Sequence, residues 1–278
     1  MIKRILRYNV FISMTIKDAL VFRAQFWVGL VITGLILSLN YCLWKAIYSS
    51  RVEIAGIHIK QMMTYIVVGS LVTAVRGNVI NDIGEAFESG HCGIDLVRPL
   101  SFPIVSLSRS LGESIINILL HGLPVFFLGW IFIGINLPSY ISALAFVISL
   151  ILSLVLYFLF EFIFAQLIFY IQTYYSIARM WDLMIFFTSG ALIPLQFLPE
   201  WIKNVLFVMP FQSIFYTSIN IFLGETLQSS PLVQLINNFG IPCMLSVLLE
   251  QILWIIVMLP VAMIIWKFSS RRLIVQGG

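Results

Sequence analysis

Residues 76–113 read RGNVINDIGEAFESGHCGIDLVRPLSFPIVSLSRSLGE, and long apolar runs flank them on both sides. The stretch holds Arg76, Asp82, Glu85, Glu88, Asp95, Arg98, Arg109 and Glu113, in a chain with only 16 basic and 12 acidic side chains. A segment this polar cannot lie in hydrocarbon, so it emerges into water between two apolar spans. Val79 to Glu88 has helical composition, and Asp82, Glu85 and Glu88 fall within two turns of one another. Gly90 and Gly93 stop that helix, and Pro99 and Pro103 keep the following residues extended. A second short amphipathic turn is expected over residues 104–109.

The remainder of the chain explains why this loop stands out. Its 278 residues are 60% hydrophobic and 10% charged, with mean hydropathy +1.03. A soluble domain would be about a quarter charged. The fold class is therefore all-α integral membrane, as a single transmembrane domain over residues 1–278. The net charge of +4 belongs to basic loops at a membrane, not to a nucleic-acid partner. Cys42, Cys92 and Cys243 are scattered without CxxC or Cys/His ligand spacing, so no disulfide and no metal is expected.

Working outward toward the N-terminus, span 2 covers about residues 57–75, with Lys60 and Arg76 able to snorkel from its ends. Span 1 is residues 24–44, 21 uncharged residues and enough to cross ~30 Å of hydrocarbon. Trp44 at its outer end suits headgroup level. Residues 1–23 place Ile2, Ile5, Leu6, Ile12, Ile16, Ala19 and Leu20 roughly on one helical face, with Lys3, Arg4, Arg7 and Lys17 mostly off it. That pattern suits an amphipathic interface helix against anionic headgroups; the alternative is a frayed basic tail. The apolar run that follows is long and has no small-x-small cleavage site, so the start reads as a retained helix.

Working outward toward the C-terminus, residues 114–160 contain no charge, and Asn136, Pro138 and Ser139 divide them into span 3, about 110–135, and span 4, about 140–170. Span 5 runs from about 177 to 195. Residues 189–225 are apolar but punctuated by Pro194, Pro199, Pro210 and Gly224. Each piece is too short to span, which suits a re-entrant or interfacial hairpin on the outer side, with Trp201, Phe215 and Tyr216 at interfacial depth. Residues 228–238 form a polar outer loop, and span 6 covers about 241–266, stiffened or kinked at Pro260. With the N-terminus inside, twelve cations face the cytoplasm, against Lys45, Arg51, Lys60 and Lys203 outside. This positive-inside bias needs an even number of crossings, which six spans and a non-crossing hairpin provide.

Few residues carry chemistry. No G-x-x-x-x-G-K-[ST] occurs, so the chain is expected to hydrolyse no nucleotide and to be no enzyme. His58, His91 and His121 are far apart and lack an accompanying acidic motif. No catalytic set, bound cofactor or metal site is expected. The polar residues within spans are His121, Glu161 and Glu250. His121 reads as a packing residue. Glu161, between Phe160 and Phe162, is costly if ionised in lipid; it either pairs with an arginine such as Arg109 or Arg179, or contacts a cationic substrate. Glu250 carries the same ambiguity.

Six spans, an N-terminal amphipathic helix, a polar loop between spans 2 and 3 and an apolar hairpin before span 6 together resemble an ABC-2 type transporter permease. GHCGIDLVRPLSFP, residues 90–103, resembles that family's loop with a glycine and then L-x-R-P. SGALIPLQFLPEWIKNVLFVMPFQSIFYTSINIFLGE resembles its outer segment, through Gly190, Pro194, Pro199, Pro210, Phe211 and Gly224. Ser218 departs from it, standing near where many relatives place a proline. The ending RRLIVQGG is similar to a subgroup with two different permeases, labelled viologen or drug exporters.

The resemblance implies that Val79 to Glu88 is a coupling helix in a cytoplasmic loop, residues 76–109, docking into a separate ATP-binding subunit that carries ATP and Mg²⁺. Val79, Asn81, Asp82, Glu85, Ala86, Phe87, Glu88 and Arg98 are its coupling residues. Asp82 and Glu85 would meet a basic groove and Phe87 would anchor hydrophobically. A second permease, sister chain or identical copy, would pair through spans 1 and 5. The implied location is a bacterial inner membrane with both termini cytoplasmic, and the implied activity is export of a lipophilic or amphipathic drug, peptide or lipid. The competing expectations are extraction of a peptide or lipid for self-immunity, an ATP-independent secondary transporter and a membrane-integral enzyme.

Overall fold

The computed structural model describes residues 10–17, 23–51, 53–74, 76–91, 93, 100–191, 193–224 and 230–272, with the side chains of 23–26 and 272 left aside. Arg98, the L-x-R-P segment, most of the N-terminal helix and the closing LIVQGG beyond residue 272 lie outside them. In chain order the helices are α1 (10–17), α2 (Arg23–Ile47), α3 (Ile59–Thr73), α4 (Val79–Glu88), α5 (Phe102–Asn117), α6 (Leu123–Ile133), α7 (Tyr140–Ala165), α8 (Ile168–Ile171), α9 (Tyr175–Thr188), α10 (Glu200–Val208), α11 (Tyr216–Leu223), α12 (Pro231–Asn237) and α13 (Cys243–Ser269). A two-stranded hairpin, β1 (Glu53–Ile54) and β2 (Ile57–His58), joins α2 to α3.

Among the described residues four helical stretches are long and apolar enough to cross a membrane: Trp27–Ser50, Phe102–Ile133, Tyr140–Ile171 and Cys243–Ser269. The second differs from expectation. Residues 104–109 form no separate turn; with Pro103 in its first turn, α5 runs unbroken from Phe102 into the span. The reason is that Pro sits well at a helix start, where its missing N–H would be unpaired anyway. Farther along, Pro124 cannot donate to the preceding turn, and the helix passes it by widening into a π turn over Ile118–Gly122. The loop at 228–238 also differs, since Pro231–Asn237 is helical, with the Ser230 hydroxyl accepting from the Val233 N–H at 3.1 Å.

α7 is the hub. It starts where Ser139 Oγ accepts from the Ser142 N–H at 3.2 Å. It packs along α13, α11 and α4, and most of the buried apolar side chains cluster around it. Helices in lipid gain nothing from hiding apolar surface, so close fit and hydrogen bonds carry the packing. α7 supplies both through Ser149 and Ser153, whose hydroxyls each lie 2.8 Å from that of Ser218 on α11. Gln251 on α13 donates to Ser153 Oγ at 3.1 Å and to the Ser213 carbonyl at 2.7 Å.

These contacts fix the depth of the hairpin. Gly224 lies beside Ser142 near the start of α7, Ser218 beside Ser149 and Ser153, and the Phe211 ring lies tilted against Phe160 at 5.1 Å near its end. Residues 211–224 thus run along much of α7, with the Pro210–Ser213 turn buried in the bundle. Phe215 and Tyr216, expected at an interface, are 1% and 2% exposed; only Trp201, 72% exposed, keeps the expected surface position. Trp44 is covered too, by Phe197 at 5.5 Å. Gly190, at φ +82°, makes the left-handed bend between α9 and the hairpin, and its carbonyl accepts from Tyr65 Oη at 2.6 Å.

Candidate functional site

The loop that stood out in the sequence folds onto the hub. α4 buries Val79, Ile80, Ile83, Gly84 and Phe87 on one face, a spacing of three and four residues, and exposes Glu85 and Glu88 on the other. Its buried face meets α7 and α9. Phe87 lies edge-on to Phe169 at 5.8 Å. Gly84 is required by proximity, because a Cβ there would run into the Tyr174 side chain. The expected roles of Val79 and Phe87 as outward contacts therefore need correction: both side chains belong to the bundle, since the apolar stripe of α4 has an internal partner.

The N-terminus of α4 is received by carboxylates from two other helices. The Asn78 N–H donates to Glu113 Oε2 of α5 at 2.8 Å, and the Ile80 N–H to Glu161 Oε1 of α7 at 3.4 Å. Asn81 donates to Asn78 Oδ1. The first turn of a helix presents unpaired N–H groups and partial positive charge, which anions stabilise. This overturns the expected partners of Glu161. Arg179 pairs with Asp182 at 3.7 Å, and Arg109 lies over the Phe11 ring at 5.6 Å and beside Asp82. Spans bring Glu161 to backbone donors that no charge count reveals.

Asp82 occupies the same first turn. Burial pushes its carboxyl up to about 6; Glu85 adds to the rise, while Arg109 and a hydrogen bond with Glu113 oppose it. Of the expected coupling residues, the structure gathers Val79, Asn81, Asp82, Glu85, Ala86, Phe87 and Glu88 on this one helix and leaves Asn81, Glu85, Ala86 and Glu88 at least partly accessible.

Arg76 precedes α4 and points the other way. Its guanidinium lies 4.8 Å over the ring of Phe215, just before α11. Between Arg76 and Glu161 is a cavity of about 420 Å³, also lined by Asn78, Glu113, Tyr157 and Trp181. The Trp181 Nε1–H donates to Tyr157 Oη at 3.0 Å and closes one wall. Asn78, Tyr157 and Trp181 carried no sequence signal, and Arg76 and Glu113 stood out only as charges of the polar stretch.

The structure does not bring together the three polar residues within spans. His121 sits in the π turn with its ring against Gly29 of α2. Glu250 is buried under the hairpin and accepts from Gln212 Nε2 at 3.3 Å. Gly190, Pro194, Pro199, Pro210, Phe211 and Gly224 stand at bends and helix ends between α9 and the close of α11. His91 contacts Ser89 Oγ at 2.8 Å. Among the described residues no group of three His, Cys, Asp or Glu side chains is placed to hold a metal ion.

No curated protein matches this chain. A family described as ABC-2 family transporter protein matches residues 35–277, which include the polar loop, the hub helix and the deep hairpin. The chain belongs to that family, and is a multi-pass membrane permease of the kind that works with an ABC ATPase subunit.

Proposed function

We propose that the chain is the membrane subunit of an ATP-driven exporter and that α4 is the helix through which a separate ATPase subunit moves it. The observation that carries this reading is the construction of α4: an apolar face seated on α7 and α9, an N-terminus held by Glu113 and Glu161, and an outward face bearing Glu85 and Glu88. Such a helix is rigidly tied to the bundle yet offers charge to a partner. ATP and Mg²⁺ belong to that partner, and this chain does no nucleotide chemistry of its own.

Six crossings follow if α3 and α9 complete the four longer spans. At 15 and 14 residues they extend about 22 Å each at 1.5 Å per residue, so extended residues beside them and the snorkelling end of Lys60 make up the rest. With the cation-rich loops inside, this reading has both termini and α4 in the cytoplasm of a bacterial inner membrane and the hairpin entering from outside. A second permease, sister chain or identical copy, packs against α2, whose Val31, Leu35 and Leu39 are exposed along one side.

Closure of the ATPase would shift a two-state permease pair toward opening outward. The Arg76–Phe215 contact gives α4 a route to the hairpin, which serves as a lid or lateral exit for lipophilic or amphipathic cargo. The test is association: Glu85→Lys with Glu88→Lys abolishes co-purification of the ATPase while leaving the permease folded. Undiminished association in that double variant contradicts the reading.

A further inference from the structure

The cavity beneath α4 is lined by an acidic and a basic side chain, each with a buried polar atom that has no hydrogen-bond partner. Glu161 is 3% exposed; its Oε1 accepts from Ile80, and its Oε2 has no hydrogen-bond partner. The Arg76 Nε is likewise buried without a partner. Both residues line the same cavity, yet they form no ion pair with each other. Leaving buried polar atoms without partners is costly, so a site built this way is suited to an occupant that satisfies both.

The walls narrow its chemistry. Glu113, Glu161 and Asp182 line the cavity against the single guanidinium of Arg76, which disfavours a simple anion. Arg76 itself disfavours a simple cation. The Tyr157 and Trp181 rings flank the space and suit an ammonium group. Asn78, Asn81 and Asn117 add neutral donors and acceptors.

We propose that this cavity binds a zwitterionic head group, with a primary ammonium on Glu161 Oε2 and a phosphate on Arg76, as in phosphoethanolamine. The head group is supplied either by an aminophospholipid or as the free compound; the lipid source rests on the orientation proposed above, which puts the cavity at the depth of the inner headgroups. Bound there, it lies directly under the N-terminus of α4, so its presence and the seating of α4 are linked.

The test uses the wild-type chain in nanodiscs of phosphatidylglycerol, with dicyclohexylcarbodiimide labelling of Glu161 read by peptide mass. Adding phosphatidylethanolamine to the bilayer is expected to lower Glu161 labelling at least fivefold, with Glu250 labelling in the same sample unchanged. Protection by soluble O-phosphoethanolamine as well assigns binding to the head group itself; protection by the lipid alone assigns it to the bilayer source. Inorganic phosphate or ethylammonium alone is expected to give no protection. Glu161 labelling that does not differ between arms overturns the proposal, as does equal protection of Glu250 or full protection by either half-ligand. Arg76→Gln is expected to remove most of that protection, and unchanged protection in that variant also overturns it. No ATPase subunit takes part, so failure here leaves the coupling reading standing, and loss of the coupling reading leaves this binding measurement intact.

Discussion

The guanidinium of Arg76 lies 4.8 Å over the ring of Phe215, joining the first residue of the polar loop to the chain just before α11. A cation over an aromatic face is worth about 0.5–2 kcal/mol, more when desolvated. In a double-mutant cycle of Arg76→Gln and Phe215→Leu, thermal or denaturant unfolding in detergent should give a coupling energy of at least about 0.5 kcal/mol. Strict additivity would mean that the loop and hairpin are not energetically joined there.

Gly84→Ala should loosen α4. The added methyl meets the Tyr174 side chain, and overpacking of this kind costs about 1–3 kcal/mol. Hydrogen exchange of residues 79–88 should speed up, while exchange in α7 stays the same. Combining the change with Tyr174→Ala should restore part of the protection. A Gly84→Ala chain with unaltered exchange would show that α4 does not sit against Tyr174.

Ser218→Ala removes the hydroxyl that meets both Ser149 and Ser153. Interhelical hydrogen bonds in membrane proteins average about 0.6 kcal/mol and reach about 1.7. The variant should unfold at a lower temperature by an amount corresponding to about 1 kcal/mol, and Ser149→Ala added to it should cost less than it does alone.

The pH response of Asp82 has a definite sign. Its carboxyl titrates near 6 in the folded chain and at 3.8 when unperturbed. The folded state therefore binds the proton more tightly, and stability falls as pH rises from about 4 to 6. Asp82→Asn should flatten that part of the stability profile, read as the difference in Tm between variant and wild type across the window. Parallel profiles would place the titration elsewhere.

The amphipathic logic of α4 was legible because its charges interrupt an otherwise uncharged region, and the helix breaks of residues 194–224 were legible because prolines and Gly224 cut an apolar run. What those patterns lack is direction. Nothing in the spacing of residues 79–88 says that Phe87 turns inward to Phe169, since an apolar stripe fits an internal neighbour and a foreign groove equally well. Glu161 was singled out by its cost in lipid, but the search for a partner went to charged side chains. Its actual partner is the Ile80 N–H, 81 residues away, and backbone donors at helix starts leave no mark in composition. The continuous helix from Phe102 was hidden by Pro103, read as a breaker when it serves as a starter. Phe215 and Tyr216 were placed at an interface by residue type, whereas the serines of α7 that draw the hairpin inward are inconspicuous in a long apolar run.

The most direct test of the account is crosslinking from the outward face of α4. Glu88→Cys, carrying a short photoactivatable label, is irradiated in native membranes and the adduct identified by mass analysis. The account predicts a crosslink to a soluble ABC ATPase subunit, lost when the label is moved to the buried position of Ile83. A complex in which the ATPase co-purifies but never crosslinks from position 88, or membranes in which no ATPase is captured at all, would contradict α4 as the coupling helix.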